Sequence, residues 1–211
     1  MSSLLSRVDH IIYATADVES TCEAFERSLG VRADPGGRHA AWGTRNALIA
    51  LGDSTYLEIF GPDLGQSGER ERPFGLDRNH PSRLATWSAA APDLRALGKK
   101  AKSRGVDLGE VQTRSRTRPD GVELIWEMTD PLEPRCDGIV PFFIDWGTSP
   151  HPAATSVRGG ELLQLRAVHP HATEVREILL ALDLNLPVEQ GPAPELIATI
   201  RTLHGSIIEM R

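Results

Sequence analysis

One supersecondary pattern recurs along this chain: a strand, a helix, then three further strands. A single unit of that kind cannot bury both faces of its sheet, so a chain that repeats it must pair its units. In the first unit, residues 8–14 read as a strand and Asp17 as a helix N-cap. Val18, Cys22, Phe25 and Leu29 then recur at helical spacing, and Gly30 ends the helix. Residues 31–33, a turn at Asp34-Pro35-Gly36-Gly37, and strands at 45–51 and 56–61 complete it. The second unit has a strand at 84–90, a helix capped by Asp93 and carrying Leu94, Leu97 and Ala101, and a hairpin of 108–118 with 122–129 around Pro119-Asp120-Gly121. It ends in the apolar strand 139–146. The third has a strand at 162–168, a helix stripe at Val175, Ile178, Leu179 and Leu182, and strands at 187–190, 195–203 and 206–210. The expected fold class is α+β, one domain over 1–211, with modules at 7–63, 83–146 and 161–211 and a linker or lid at 64–82.

Strand parity then singles out two polar residues. Side chains alternate across a strand. His10 shares a face with Val8 and Ile12, and Glu58 shares one with Tyr56 and Phe60. A carboxylate on such a face must be paired, hydrogen-bonded or metal-bound. One imidazole and one carboxylate suit Zn, Fe, Mn or Ni without choosing among them; alternatively the two groups bond each other or polar neighbours in a pocket floor. The matching ends Tyr56-Leu57-Glu58-Ile59 and Ile207-Ile208-Glu209-Met210 offer Glu209, with Gln164, as further ligands. In the second unit Thr86 and Trp126 fall at the corresponding places and ligate nothing.

Around this pair, His39 follows the flexible loop Gly36-Gly37-Arg38 and precedes Thr44 and Asn46. These residues read either as a substrate rim, with His39 moving a proton, or as a polar surface loop. Trp126 and Trp146 suit the walls of a site for a flat ligand. Asp145 is placed to orient His151, and Arg116 to grip an anion; the plainer readings are core packing and an exposed turn. His80, His169, His171 and His204 read as turn residues.

The quoted stretches resemble the glyoxalase-like branch of the vicinal oxygen chelate superfamily. Val8-Asp9-His10, Leu29-Gly30-Val31, Gly36-Gly37-Arg38-His39, Gly43-Thr44-Arg45-Asn46, Tyr56-Leu57-Glu58, Arg116-Thr117-Arg118-Pro119-Asp120-Gly121, Pro141-Phe142-Phe143-Ile144-Asp145-Trp146-Gly147 and His151-Pro152 carry the resemblance. It implies β-α-β-β-β modules whose mixed sheets curl around a cleft, as in glyoxalase, bleomycin-resistance and dioxygenase proteins. It also implies a small-molecule ligand, and isomerase or lyase chemistry with a divalent metal at His10 and Glu58. The alternative is a metal-free protein that sequesters a small molecule between tryptophans, with Trp42 and Trp87 as further flat surfaces.

Composition excludes other classes. A net charge of −6 argues against nucleic acid or an anionic membrane as partner. No nucleotide-cradling glycine motif or nucleophile motif occurs, so no nucleotide cofactor is expected. Cys22 and Cys136 form no metal or redox motif, which fits a cytoplasmic setting. An odd number of modules leaves one to pair, so a homodimer is expected.

Overall fold

The computed structural model describes residues 3–66, 72–76, 81–117, 121–132 and 135–211. Its elements run β1 (Val8–Ala14), α1 (Val18–Leu29), β2 (Asp34–His39), β3 (Thr44–Ala50), β4 (Tyr56–Pro62), β5 (Arg83–Ala90), α2 (Leu94–Ser103), β6 (Gln112–Thr117), β7 (Glu123–Met128), β8 (Phe142–Asp145), β9 (Gly160–His169), α3 (Ala172–Ala181), β10 (Val188–Gln190), β11 (Glu195–Thr202) and β12 (Ile207–Met210). The β-α-β-β-β order thus occurs three times. Pro119 and Asp120 of the expected turn and much of 64–82 lie outside the described residues.

The first two units share one eight-stranded sheet, ordered β2-β3-β4-β1-β5-β8-β7-β6. In each of these units the first strand pairs in parallel with the last, β1 with β4 and β5 with β8. The two first strands meet antiparallel at the centre. The sheet curls until its edge strands approach: Arg116 Nη1 on β6 donates to the Gly36 carbonyl on β2 at 2.6 Å. A cleft lies inside the curl, faced by Ile12, Ala14, Phe60, Ala85, Met128, Phe142 and Ile144.

The other face is the main core. Val8, Ile11, Leu57, Ile59, Trp87 and Phe143 point to it from the large sheet, and Cys22 and Leu29 from α1. The third unit covers part of this face with Leu162, Leu165, Leu196 and Ile200. Its own sheet is ordered β10-β9-β11-β12. Here the first strand, β9, pairs with β10 and β11, and the last strand is an edge. The third unit therefore repeats the element order of the first but not its pairing.

The Gly/Pro stretch expected as a turn is the edge strand β2, irregular between Pro35 and Arg38. An edge is where a sheet tolerates proline, because the missing N–H falls on an unpaired side. Among the described residues no helix is long and apolar enough to cross a membrane.

Candidate active site

The cleft floor forms where β1 and β4 lie side by side. Parallel register sets His10 beside Tyr56 and Ile12 beside Glu58. The side chains of His10 and Glu58 are both buried there, and His10 stacks on Tyr56 with ring centroids 4.6 Å apart. His10 Nδ1 lies 2.7 Å from Asp9 Oδ1, and His10 Nε2 lies 3.5 Å from Glu58 Oε2.

Asp9 is the residue that strand parity hid. Strict alternation turns it to the helix-covered face. A β-bulge between Val8 and His10, in the pairing with β5, breaks the alternation. An extra residue in one strand re-aims its neighbours. Val8 joins the main core, which corrects its expected place beside His10, and Asp9 comes round to the imidazole. The one sequence signal was an acid inside an apolar strand, which needs a partner wherever it lies.

Asp9 is only 1% exposed. Burial pushes its carboxyl up, but hydrogen bonds from His10 and His151 and the charge of both imidazoles outweigh that and hold it below its ordinary value. Its Oδ2 accepts from Trp146 Nε1 and from His151 Nε2, each at 3.1 Å. His151 Nδ1 accepts from the Ala153 N–H, so its proton sits on Nε2, an assignment made from the hydrogen-bond pattern. Asp145, expected to orient His151, instead accepts from Gly147 N and Asp93 N. His151 stands behind Asp9 rather than in the cavity wall.

An ionised Asp9 only accepts, so His10 carries a proton on Nδ1 and directs Nε2 at Glu58. An unprotonated Nε2 facing an ionised carboxylate presents two lone pairs to each other. The pair is stable when it holds one proton, or a cation, between them. Glu58 Oε1 is already engaged, accepting from Asn46 Nδ2 at 2.5 Å. Asn46 Oδ1 accepts in turn from Gly37 N at 2.6 Å. A Cβ on Gly36 would stand 2.1 Å from that oxygen, so this approach requires glycine.

His39 also lines the cavity. Burial lowers its pKa; Glu58 opposes the shift and Arg116 adds to it. Its Nδ1 pairs with Thr44 Oγ1 at 3.1 Å, and its ring stacks on Phe60. Thr44 is fully buried and positions His39 instead of meeting the cavity. Tyr56 is pushed well above its ordinary value by burial and by the charges of Asp9 and Glu58, so its hydroxyl stays protonated.

The opposite wall comes from the second unit: Trp126, Met128, Phe142, Ile144 and Trp146. The Trp126 and Trp146 rings are 5.3 Å apart. The inner cavity holds ≈ 60 Å³ and opens on a vestibule of ≈ 660 Å³ between β2 and β6. Arg116, Trp126, Trp42, His39 and Asn46 line both spaces. Trp87 is not a ligand surface. It is fully buried in the main core and its Nε1 donates to the Ile139 carbonyl at 2.8 Å. His169, read as a turn residue, ends β9 in a buried position with Nε2 3.1 Å from Asp137.

Two expected correspondences change. The strand matching β4 in the second unit is β8, since it is β8 that pairs in parallel with β5. Phe142, not Trp126, therefore stands where the first unit has its carboxylate, and Ile144 stands where it has Phe60. The match of Glu209 to Glu58 also lapses, because β12 pairs with β11 and not with the first strand of its unit. Glu209 is bound to Arg166 and Arg211, and Gln164 lies on β9 opposite Thr199. Neither lines the cavity.

A metal at this floor has two protein donors, His10 Nε2 and Glu58 Oε2. Asp9 behind the imidazole is the support a metal-bound histidine usually has. Catalytic sites typically use three protein ligands, and among the described residues no group of three His, Cys, Asp or Glu side chains converges. The donor set is one short of that pattern.

Comparison with known proteins agrees with the fold. A family model described as a glyoxalase-like domain matches residues 8–182. The crystal structure of a hypothetical protein from Staphylococcus aureus superposes with a TM-score of 0.72 at 14% identity, covering 97% of this chain and 98% of that one. A methylmalonyl-CoA epimerase from Mycobacterium tuberculosis gives 0.45 at 20% identity, covering 74% and 96%. A Streptomyces coelicolor methylmalonyl-CoA epimerase in complex with methylmalonyl-CoA and NH4+ gives 0.46 at 18% identity, covering 69% and 98%. The search of curated proteins finds no match.

Proposed function

This chain belongs to the glyoxalase-like domain family, and we propose that it is an isomerase or lyase that moves a proton on a small carbonyl compound held in the cleft. The observation that carries this reading is the buried line Asp9–His10–Glu58, ending at a cavity walled by aromatic rings. Glu58 Oε2 is the base. It takes a proton from the carbon next to a carbonyl, and the bonding pair moves onto the carbonyl oxygen. His10, fixed by Asp9, balances the charge of Glu58 and shares its proton. His39, kept neutral by burial, offers a hydrogen bond or a proton to the developing oxyanion. Return of the proton to the other face gives an isomer; loss of a β-substituent gives a lyase product.

A divalent metal would supply Lewis-acid stabilisation of that oxyanion. His10 and Glu58 supply two protein donors where three are usual. Metal analysis of protein purified without chelator, against a His10→Ala/Glu58→Ala variant, tests this separately. Stoichiometric metal lost in the variant establishes a metal site at these two residues and supports the enzyme reading.

The test of proton transfer is solvent exchange. A panel of 2-oxo acids, 2-hydroxy ketones and 2-methyl-1,3-dicarbonyl acids is incubated with the protein in D2O and followed by proton NMR. Loss of the signal next to the carbonyl, slowed about 100-fold or more in Glu58→Gln, is the expected result. The sequestration reading draws on the paired rings of Trp126 and Trp146. Tight binding with no exchange above the buffer rate, for any compound, replaces the enzyme with that binder.

A further inference from the structure

We propose that the vestibule between β2 and β6 is an anion subsite, so that the ligand of the inner cavity carries a carboxylate or phosphate which Arg114 and Arg116 receive. This deepens the preceding reading by naming a substrate class, an acid or phosphate ester, and rests on that reading only for the reaction.

Arg114 and Arg116 alternate with Ser115 along β6, so both side chains take the same side of the strand and both line the vestibule. The Arg114 guanidinium lies over the Trp42 ring, 5.3 Å from its centroid, which holds its plane against an apolar surface. Its Nη2 donates to Gln112 Oε1 at 2.5 Å. Its Nε is buried and has no hydrogen-bond partner among the described residues. A donor taken from water and given nothing in return is costly, and an arriving oxygen removes that cost. Guanidinium presents Nε and a terminal nitrogen as a fork that matches two oxygens of a carboxylate or phosphate. Arg116 lines both the vestibule and the inner cavity, and its charge reaches both His39 and Tyr56.

The other two arginines of this rim answer differently. Arg38 is bound to Asp63 at 2.6 Å, and Arg45 stands 3.6 Å from Glu19. Their charge is offset by carboxylates. Arg114 enters no ion pair among the described residues. The chain as a whole is acidic, with a net charge of −6. A basic pocket in an acidic molecule is therefore a local feature and not a general one.

The test is binding, read by quenching of tryptophan fluorescence or by calorimetry, with three probes of one shape: benzoate, phenyl phosphate and neutral benzamide. The expected result is that at least one anion binds five-fold or more tightly than benzamide. The preference should fall to within two-fold in Arg114→Gln, recover in part in Arg114→Lys, and stay intact in Arg201→Gln, a charge loss on the separate sheet. Benzoate ahead of phenyl phosphate identifies a carboxylate subsite, and the reverse a phosphate subsite. Anions no tighter than benzamide, or a preference unchanged in Arg114→Gln, overturn the proposal. Because no turnover is measured, failure of this subsite leaves the proton-transfer reading standing, and failure of exchange leaves the subsite standing.

Discussion

The two halves of the eight-stranded sheet share a strand plan and divide the chemistry. Around β1 and β4 the cleft face carries His10, Glu58, Asn46 and His39. Around β5 and β8 the same face carries Ala85, Phe142 and Ile144, with Trp126 and Met128 alongside. Among the described residues the first half thus supplies the carboxylate and both imidazoles of the cavity. The second supplies apolar wall, with Arg116 as its one charged contribution, and that wall excludes water and strengthens charges in the first. Duplication of a scaffold need not duplicate a site. One half is free to become the wall against which the other works.

The strongest way to break that division is to attack catalysis from both sides. Glu58→Gln is expected to slow carbon–hydrogen exchange about 10²–10⁴-fold. Met128→Ala faces the same cavity from the other half and is expected to change KM with less than about a ten-fold loss in kcat, as uniform binding contributions do. NMR exchange rates measured as a function of ligand concentration up to saturation check both. Equal losses in kcat would show that the second half also holds a reacting group.

Stability should not divide this way, because both halves fill the main core. Trp87, opposite Ile11 in the central pairing, fills the main core from the second half. Trp87→Ala is expected to lower unfolding free energy by about 3–5 kcal/mol, through lost burial, a cavity and the lost bond to Ile139. Urea denaturation measures it. A loss under about 1 kcal/mol would mean that Trp87 does not hold the two halves of the core together.

Asp9→Asn tests the first half more gently, at about 1–3 kcal/mol for a buried bond to a charged partner. The pH dependence carries the signature. Asp9 titrates below its ordinary 3.8 in the folded chain, so its contribution is present above that value and is lost as pH falls through the lowered pKa. His39 also titrates below its ordinary 6.5, so the unfolded chain takes up that proton first and stability starts to fall as pH drops past 6.5. Asp63, Asp107, Asp183 and Glu209 are also held low, so Asp9→Asn should shrink the lower limb and leave the upper one. Stability curves from pH 7 to pH 3 compare them, and an unchanged lower limb would remove Asp9 from the network.

Much of this was legible from periodicity. The three β-α-β-β-β orders, the caps Asp17 and Asp93, and His10 and Glu58 on inward faces all follow from local patterns of spacing. What escaped was non-local. Asp9 depended on a bulge, which is a property of two paired strands. Trp126 was matched to Glu58 because β7 and β8 both read as strands, and only pairing shows which one lies beside β5. Glu209 looked like Glu58 in its tetrapeptide, yet the third unit pairs its strands in another order. Trp87 reads like the cleft tryptophans until the sheet has a front and a back.

The two helix caps give the finest contrast between the halves. Asp17 accepts from Glu19 N and Ser20 N with an extended backbone, φ −136°. Asp93 accepts from Ala96 N but sits in the left-handed region at φ 52°. An aspartate caps well in both, since its oxygen meets donors the helix leaves unpaired. Glycine loses the side-chain bond at either place, for a few tenths of a kcal/mol. At Asp17 it also adds freedom to the unfolded chain, so Asp17→Gly should cost about 0.5–1 kcal/mol in all. At Asp93 glycine relieves about 1 kcal/mol of left-handed strain, and its backbone N–H still donates to Asp145. Glycine frees the unfolded chain here too, so Asp93→Gly is expected to be near neutral, within about 0.5 kcal/mol. Thermal melts should show a loss for Asp17→Gly and little change for Asp93→Gly, and equal losses would show that strain at Asp93 is already offset by contacts the first half lacks.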